Sequence, residues 1–193
     1  MPTQSDRKAT THAKIVKTAA RAIRRSGYHG VGVADIMKEA GLTHGGFYAH
    51  FESRNALLVE AAEAASAQSA ASLNRVAQAA GPQDSMQAIV DMYLGDAHVA
   101  ATERGCPVAA LGSEMARQAP EVRAAATQGI ENMANLLASY LPPGQQQDSL
   151  GAMSCMLGAL VLARAVDDPK LSAAIRAGAK DFIHAALAHK DQP

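Results

Sequence analysis

The feature that most constrains this chain is the spacing of its apolar residues. They return every third or fourth position through most of 193 residues, and no run alternates with period two long enough to be a strand. Gly and Pro cut that pattern into pieces. The pieces predict helices at about 10–26, 33–40, 43–51, 53–80, 84–102, 108–118, 120–141, 146–166 and 169–189. Composition agrees: 43 alanines, 4% aromatic residues and no Trp favour helix over sheet. The expected class is all-α, with about nine helices.

Several function classes fall away early. Apolar residues make up 48%, too many for a disordered chain. Two cysteines are too few for a disulfide scaffold. The first residues hold no apolar stretch resembling a signal peptide. The longest apolar run, Leu150 to Ala163, is 14 residues, short of the roughly 20 a membrane span needs. A cytoplasmic protein without a membrane partner is expected. No cluster of His, Cys and carboxylate has metal-ligand spacing, and no phosphate loop, Gly-x-Gly-x-x-Gly or Gly-x-Ser-x-Gly motif is present. Neither metal nor cofactor is expected.

The overall balance of 18 basic and 18 acidic residues conceals an asymmetry. Residues 1–55 hold nine basic residues against four acidic; the remainder holds nine against fourteen. Four of the seven His also fall in the first part. A small basic head on a larger acidic body suits a head that meets an anion.

Within that head, a basic first helix is followed by Ala34–Ala40, the turn Gly41-Leu42-Thr43 and the short segment His44–Phe51. Ser53 then caps a long helix. Two short helices joined by a Gly-containing turn outline a helix-turn-helix. Ile36, Met37, Ala40, Leu42, Phe47 and Phe51 are the candidate core fixing their crossing. Gly27-Tyr28-His29-Gly30, Val33-Ala34-Asp35-Ile36, Ala40-Gly41-Leu42-Thr43, Gly46–Phe51 and Ser53–Leu58 together resemble the head of the TetR family of bacterial transcriptional regulators, over about residues 10–60.

The resemblance implies a DNA-binding domain at 1–55, with its motif at about 32–51, and a ligand-binding and dimerisation domain at 56–193. It implies DNA contacts from Thr43, His44, Gly45 and Gly46 at the start of the recognition helix, and phosphate contacts from Tyr48 and His50. Arg54, beside the free N–H groups of a helix start, adds a cation suited to phosphate. The Gly45-Gly46 pair costs helix propensity, roughly 1 kcal/mol per Gly, so the recognition helix is expected to be soft.

For the body the resemblance implies a homodimer bound to a double-stranded operator and controlled by a small-molecule effector. Gly151, Ser154, Gly158, Ile175, Ala179, Phe182 and Ile183, on two apolar helices at the end of the chain, are the candidate dimer interface. Met92, Tyr93, His98, Met115, Met133 and Met156 are candidate pocket residues. Cys106, ahead of Pro107 and near Arg104, has the setting of a stabilised thiolate; the resemblance implies a possible thiol sensor, while a small buried hydrophobe is the plainer reading. Cys155 reads as inert core. The expectation is thus a ligand-responsive repressor rather than an enzyme. The alternatives are an enzyme with Cys106 as nucleophile and His98 or a distant His as base, and a non-specific architectural DNA protein, which ought to be basic throughout.

Overall fold

The structure, a computed structural model, describes residues 3–188. Among them it is all helical, with nine α-helices and three 3₁₀ turns. We number the helices α1 (Gln4–Ser26), α2 (Val33–Glu39), α3 (Arg54–Ala80), α4 (Ser85–Tyr93), α5 (Asp96–Ala100), α6 (Pro107–Met115), α7 (Pro120–Ser139), α8 (Ser149–Ala165) and α9 (Pro169–Ala188). The expected end of the last helix at position 189 lies outside the described residues.

Three of the differences from expectation have a local reason. α1 starts at Gln4 rather than near residue 10, because Thr3 and Asp6 form a reciprocal capping box: Asp6 N–H donates to Thr3 Oγ1 at 3.1 Å and Thr3 N–H to Asp6 Oδ2 at 2.8 Å. The segment expected as one helix over 84–102 breaks at Gly95 into α4 and α5. Arginines satisfy the carbonyls freed there: Arg176 Nη1 donates to Leu94 O at 3.0 Å, and Arg164 donates to His98 O at 2.5 Å and Val99 O at 3.2 Å. The recognition segment His44–Ala49 is wound as a 3₁₀ helix, as suits a run opening on two glycines.

The chain packs as two compact units. One comprises residues through Ala67 together with Glu103–Gly129; the other comprises Gln68–Thr102 and the chain from Ile130. The first has one continuous core in which Ile15, Ala19 and Ile23 of α1 meet Ile36, Met37, Phe47, Phe51, Leu57, Leu58, Leu111 and Val122. The expected helix-turn-helix core is present, with Leu42 only partly buried. Three arginines at the end of α1 grip the segment before α6. Arg24, itself buried, donates to Gly105 O at 2.8 Å. Arg21 and Arg25 pair with Glu103 at 2.6 and 3.1 Å, and Arg25 also with Glu39 at 2.7 Å.

The second unit is built on the α8–α9 pair. Ser172 Oγ donates to Ala163 O at 2.8 Å across their junction, and Arg176 and Lys180 of α9 pair with Asp96 and Asp91, both at 2.7 Å. The apolar run expected to be too short for a membrane gains length from the turn before α8. Gln146–Ala165, 20 residues, has the length and composition of a span, with 39% of its apolar window buried inside the fold. Leu150, Gly151, Ser154, Gly158, Val161 and Leu162 form an exposed side of α8.

Candidate nucleic-acid interface

The interface is assembled from the turn outward. α2 starts after Gly32, whose N–H donates to the Asp35 carboxylate at 3.2 Å. It ends at Gly41, whose φ of +71° only Gly adopts without strain, and Leu42 N–H closes the turn on Met37 O at 2.9 Å. Thr43, in extended conformation, precedes the recognition turn; its carbonyl accepts from Gly46 N–H at 3.1 Å while its side chain makes no capping bond. The exposed hydroxyl is therefore free to meet a ligand.

Phe47 and Phe51 point into the core, which turns Thr43, His44, Gly45 and Tyr48 outward. Tyr48, 72% exposed, is the most exposed large apolar residue among those described. A Cβ on Gly45 would meet nothing within 4 Å, and one on Gly46 only Met37 Cε at 3.7 Å and Thr43 Oγ1 at 3.8 Å. Packing does not demand either glycine. What they leave is bare backbone facing outward, as a surface that must come close to another molecule requires.

His50 ends the turn half-buried, with its Nδ1 enclosed and unpartnered in the protein. Burial, then the charges of His12 and Lys8, hold its pKa below the ordinary imidazole value. Arg54 Nη2 donates to Tyr28 O, which ties the α1–α2 connection to α3. Ser53 caps α3 as expected, accepting from Ala56 N–H at 3.1 Å. Two residues absent from the sequence reading belong to this region, His12 and Glu60, with His12 Nε2 2.6 Å from Glu60 Oε2. They are 48 positions apart, and no local pattern links them.

The expected body residues scatter. Met115 falls in the first unit. In the second, Tyr93, Met133 and Met156 are buried, and Met92 and His98 are partly so. His98 Nδ1 lies 2.7 Å from Tyr93 O, its ring meets Tyr93 edge-on at 4.6 Å, and burial above all lowers its pKa. None of the six lines the cleft of about 830 Å³ in this unit, which is bounded by Gln78, Met86, Tyr140, Leu141, Gln145 and His184 among others. They are packed as core and helix-end contacts instead, where Met fills irregular space.

Cys106 lies just before α6 and is buried. Cys155 is not inert core: it is half-buried and lines a groove of about 220 Å³ between α8 and α9, where burial raises its thiol pKa. Of the candidate interface residues, Gly151, Ser154, Gly158 and Phe182 are exposed and Ile175 and Ala179 are partly so, but Ile183 is 2% exposed and belongs to the core. Leu150, Val161, Leu162 and Leu171, all exposed, extend the same faces.

A buried-core helix, a tight glycine turn and an outward-facing recognition turn define a helix-turn-helix DNA-binding protein with a helical body. Comparison with known proteins agrees along most of the chain. The family model for bacterial regulatory proteins of the tetR family matches residues 15–61, and the tetracyclin repressor-like C-terminal domain matches 82–179. MT0206 of Mycobacterium tuberculosis (strain CDC 1551 / Oshkosh), an uncharacterised HTH-type transcriptional regulator, is 30% identical over 165 residues, which cover 78% of this chain and 82% of its own. Among solved structures, a TetR-family regulator from Cytophaga hutchinsonii has a TM-score of 0.79 at 19% identity, covering 96% of this chain and 97% of its own. The reduced form of NemR from E. coli has a TM-score of 0.76 at 20% identity, covering 90% and 96%. The chain belongs to the TetR family and is a transcriptional regulator with a DNA-binding helix-turn-helix. Regulators of this family are in general not enzymes; they bind DNA, usually as dimers that answer small molecules.

Proposed function

We propose that this regulator is a cytoplasmic homodimeric repressor with a DNA-binding part at 1–55 and an effector-binding and dimerising part at 56–193. Its two recognition turns would grip a pseudo-palindromic operator, and a small effector would release it. The observation that carries the dimer is the unpartnered apolar face of α8 and α9. On α8, Leu150, Gly151, Ser154, Gly158, Val161 and Leu162 fall on one exposed side; on α9, Leu171 and Phe182 do the same, with Phe182 66% exposed. A monomer rarely leaves such a patch in water, and the small residues let a second helix pair come close.

For the effector, the cleft of about 830 Å³ lies within the size range of ligand pockets. None of the described side chains lining it carries a fixed charge. That favours an uncharged amphipathic molecule offering apolar surface to Met86 and Leu141 and hydrogen bonds to glutamines, Tyr140 and His184.

Cys106 offers a second route of release. Its neighbour Gly105 is held by Arg24, and Glu103 by Arg21 and Arg25, so an adduct on the sulfur would strain contacts that reach α1 of the head. The burial of Cys106 means that a thiol reagent must first find an opening of the fold.

Sedimentation and binding to the DNA upstream of its own gene test the reading together. The expected result is a dimer that protects two half-sites about one helical turn or a small multiple apart. Sedimentation as a monomer at micromolar concentration would overturn it. Release by a thiol-reactive compound should vanish in Cys106→Ser and persist in Cys155→Ser; an unchanged response in Cys106→Ser removes the thiol route.

A further inference from the structure

The recognition turn is short, 3₁₀-wound and opened by two glycines, so its own hydrogen bonds and propensity hold it weakly. A ladder of rings holds its far end. Tyr48 meets Phe47 edge-on at 5.2 Å, Phe47 stacks with Phe51 at 5.5 Å, and Phe51 stacks with His12 of α1 at 4.4 Å. His12 is in turn held by Glu60 of α3 at 2.6 Å.

We propose that His12 and Glu60 are positioning residues for DNA binding: the bond between them fixes the His12 ring on Phe51, and that rung orders the recognition turn from behind. The inference rests on the DNA-binding role of the head. The charged and titratable groups around His12 are Glu60 from α3, His50 from the turn with ring centroids 5.8 Å away, and Lys8, which acts with His12 on His50. A proton arriving here finds a carboxylate acceptor at His12 and none at the enclosed Nδ1 of His50. It converts the His12–Glu60 hydrogen bond into an ion pair and tightens the rung. DNA then meets a turn that is already ordered, and less ordering entropy is lost on binding.

The test uses the full-length protein and a fluorescein-labelled mixed-sequence duplex of about 30 base pairs, three helical turns. Anisotropy titrations at low salt are run at about pH 6 and about pH 8.5, either side of the imidazole range. His12→Phe keeps the ring but loses the bond to Glu60; Glu60→Gln loses only the charge. Each comparison is repeated in a His50→Gln background, because the charge of His12 acts on His50, and the quantity read is the ratio of parent to variant affinity. That ratio is expected to stay under about twofold at the higher pH and rise to roughly three- to fivefold at the lower, the range of a half-exposed ion pair. His12→Ala, lacking the ring, is expected to bind more weakly at both. A ratio for His12→Phe and Glu60→Gln that does not change with pH overturns the proposal. So does wild-type affinity in a folded His12→Ala; if that variant does not fold, the other two decide. A wild type that binds no duplex at either pH fails the DNA-binding reading itself, a result distinct from a flat ratio.

Discussion

The carboxylate of Glu114 on α6 accepts a hydrogen bond from the backbone N–H of Tyr28 at 2.9 Å, joining the helix that follows Cys106 to the connection between α1 and α2. Gly27 makes room for it: a Cβ there would stand 2.6 Å from Glu114 Oε1. Below it, the Tyr28 ring is fully buried among the head residues, with its hydroxyl unpartnered in the protein. One short segment thus carries a backbone conformation open only to Gly, a buried phenol and the tie to α6.

The phenol gives a pH prediction. Burial, and after it the charge of Glu114, push the Tyr28 pKa up from 10.0 to about 12. The folded head therefore prefers the neutral phenol. That preference stabilises the fold fully below about pH 10 and is lost as pH rises through about 12, a contribution of about 2–3 kcal/mol. Tyr28→Phe removes both the ionisation and a buried hydroxyl without a partner, so it should be neutral or stabilising by about 1 kcal/mol at pH 7. Thermal melts across the alkaline range should show the wild type losing stability faster than Tyr28→Phe; parallel curves would exclude the phenol as the cause.

Gly27 should tolerate nothing larger. Its φ of +78° and ψ of +169° lie in a region essentially reserved for Gly. Gly27→Ala adds a contact with Glu114 to a backbone cost of about 1–3 kcal/mol. Glu114→Ala in the same chain should recover only the contact, and denaturant midpoints of the two single variants and the double measure the split. Full recovery would mean that backbone strain is absent.

Gly45 should behave in the opposite way. Nothing lies near its missing Cβ and its φ is not positive, so Gly45→Ala should stabilise the head by roughly 0.5–1 kcal/mol through the unfolded chain. If bare backbone is there to approach DNA, the same variant should bind its operator more weakly in spite of the added stability. A variant that is both more stable and tighter-binding would show that softness, not clearance, is what the glycines cost.

How much of this was legible in the sequence follows from how local each feature is. Helix class, the turn at Gly41, the Ser53 cap and the burial of Phe47 and Phe51 are written in spacing of three or four residues, and they appear in the structure. Gly45-Gly46 pointed to a soft recognition helix but not to its 3₁₀ winding. Contacts between distant residues were not legible: the turn of Arg54 toward Tyr28, the pairing of His12 with Glu60, and the cleft beside Tyr140 and His184. Ile183 shows the limit at finer scale. It shares an apolar stripe with Phe182, and the stripe does not say which of two neighbours faces inward.

That neighbouring pair makes the last prediction the sharpest. Phe182 is exposed and Ile183 buried on consecutive positions of α9, so a charge has different consequences at each. Ile183→Asp puts an unpaired charge in the core of the protomer and should unfold the body, with a loss of more than about 4 kcal/mol. Phe182→Glu and Gly158→Asp place the charge on the open face of α9 or α8. Each should leave the helical circular dichroism and the melting of the isolated protomer close to wild type while shifting the dimer–monomer equilibrium by 100-fold or more, about 2.7 kcal/mol. Operator affinity should fall with dimerisation, because a single head keeps only one half-site. Sedimentation equilibrium of the three variants decides it: Phe182→Glu and Gly158→Asp remaining dimeric at wild-type strength would show that this apolar face is not where a second copy docks.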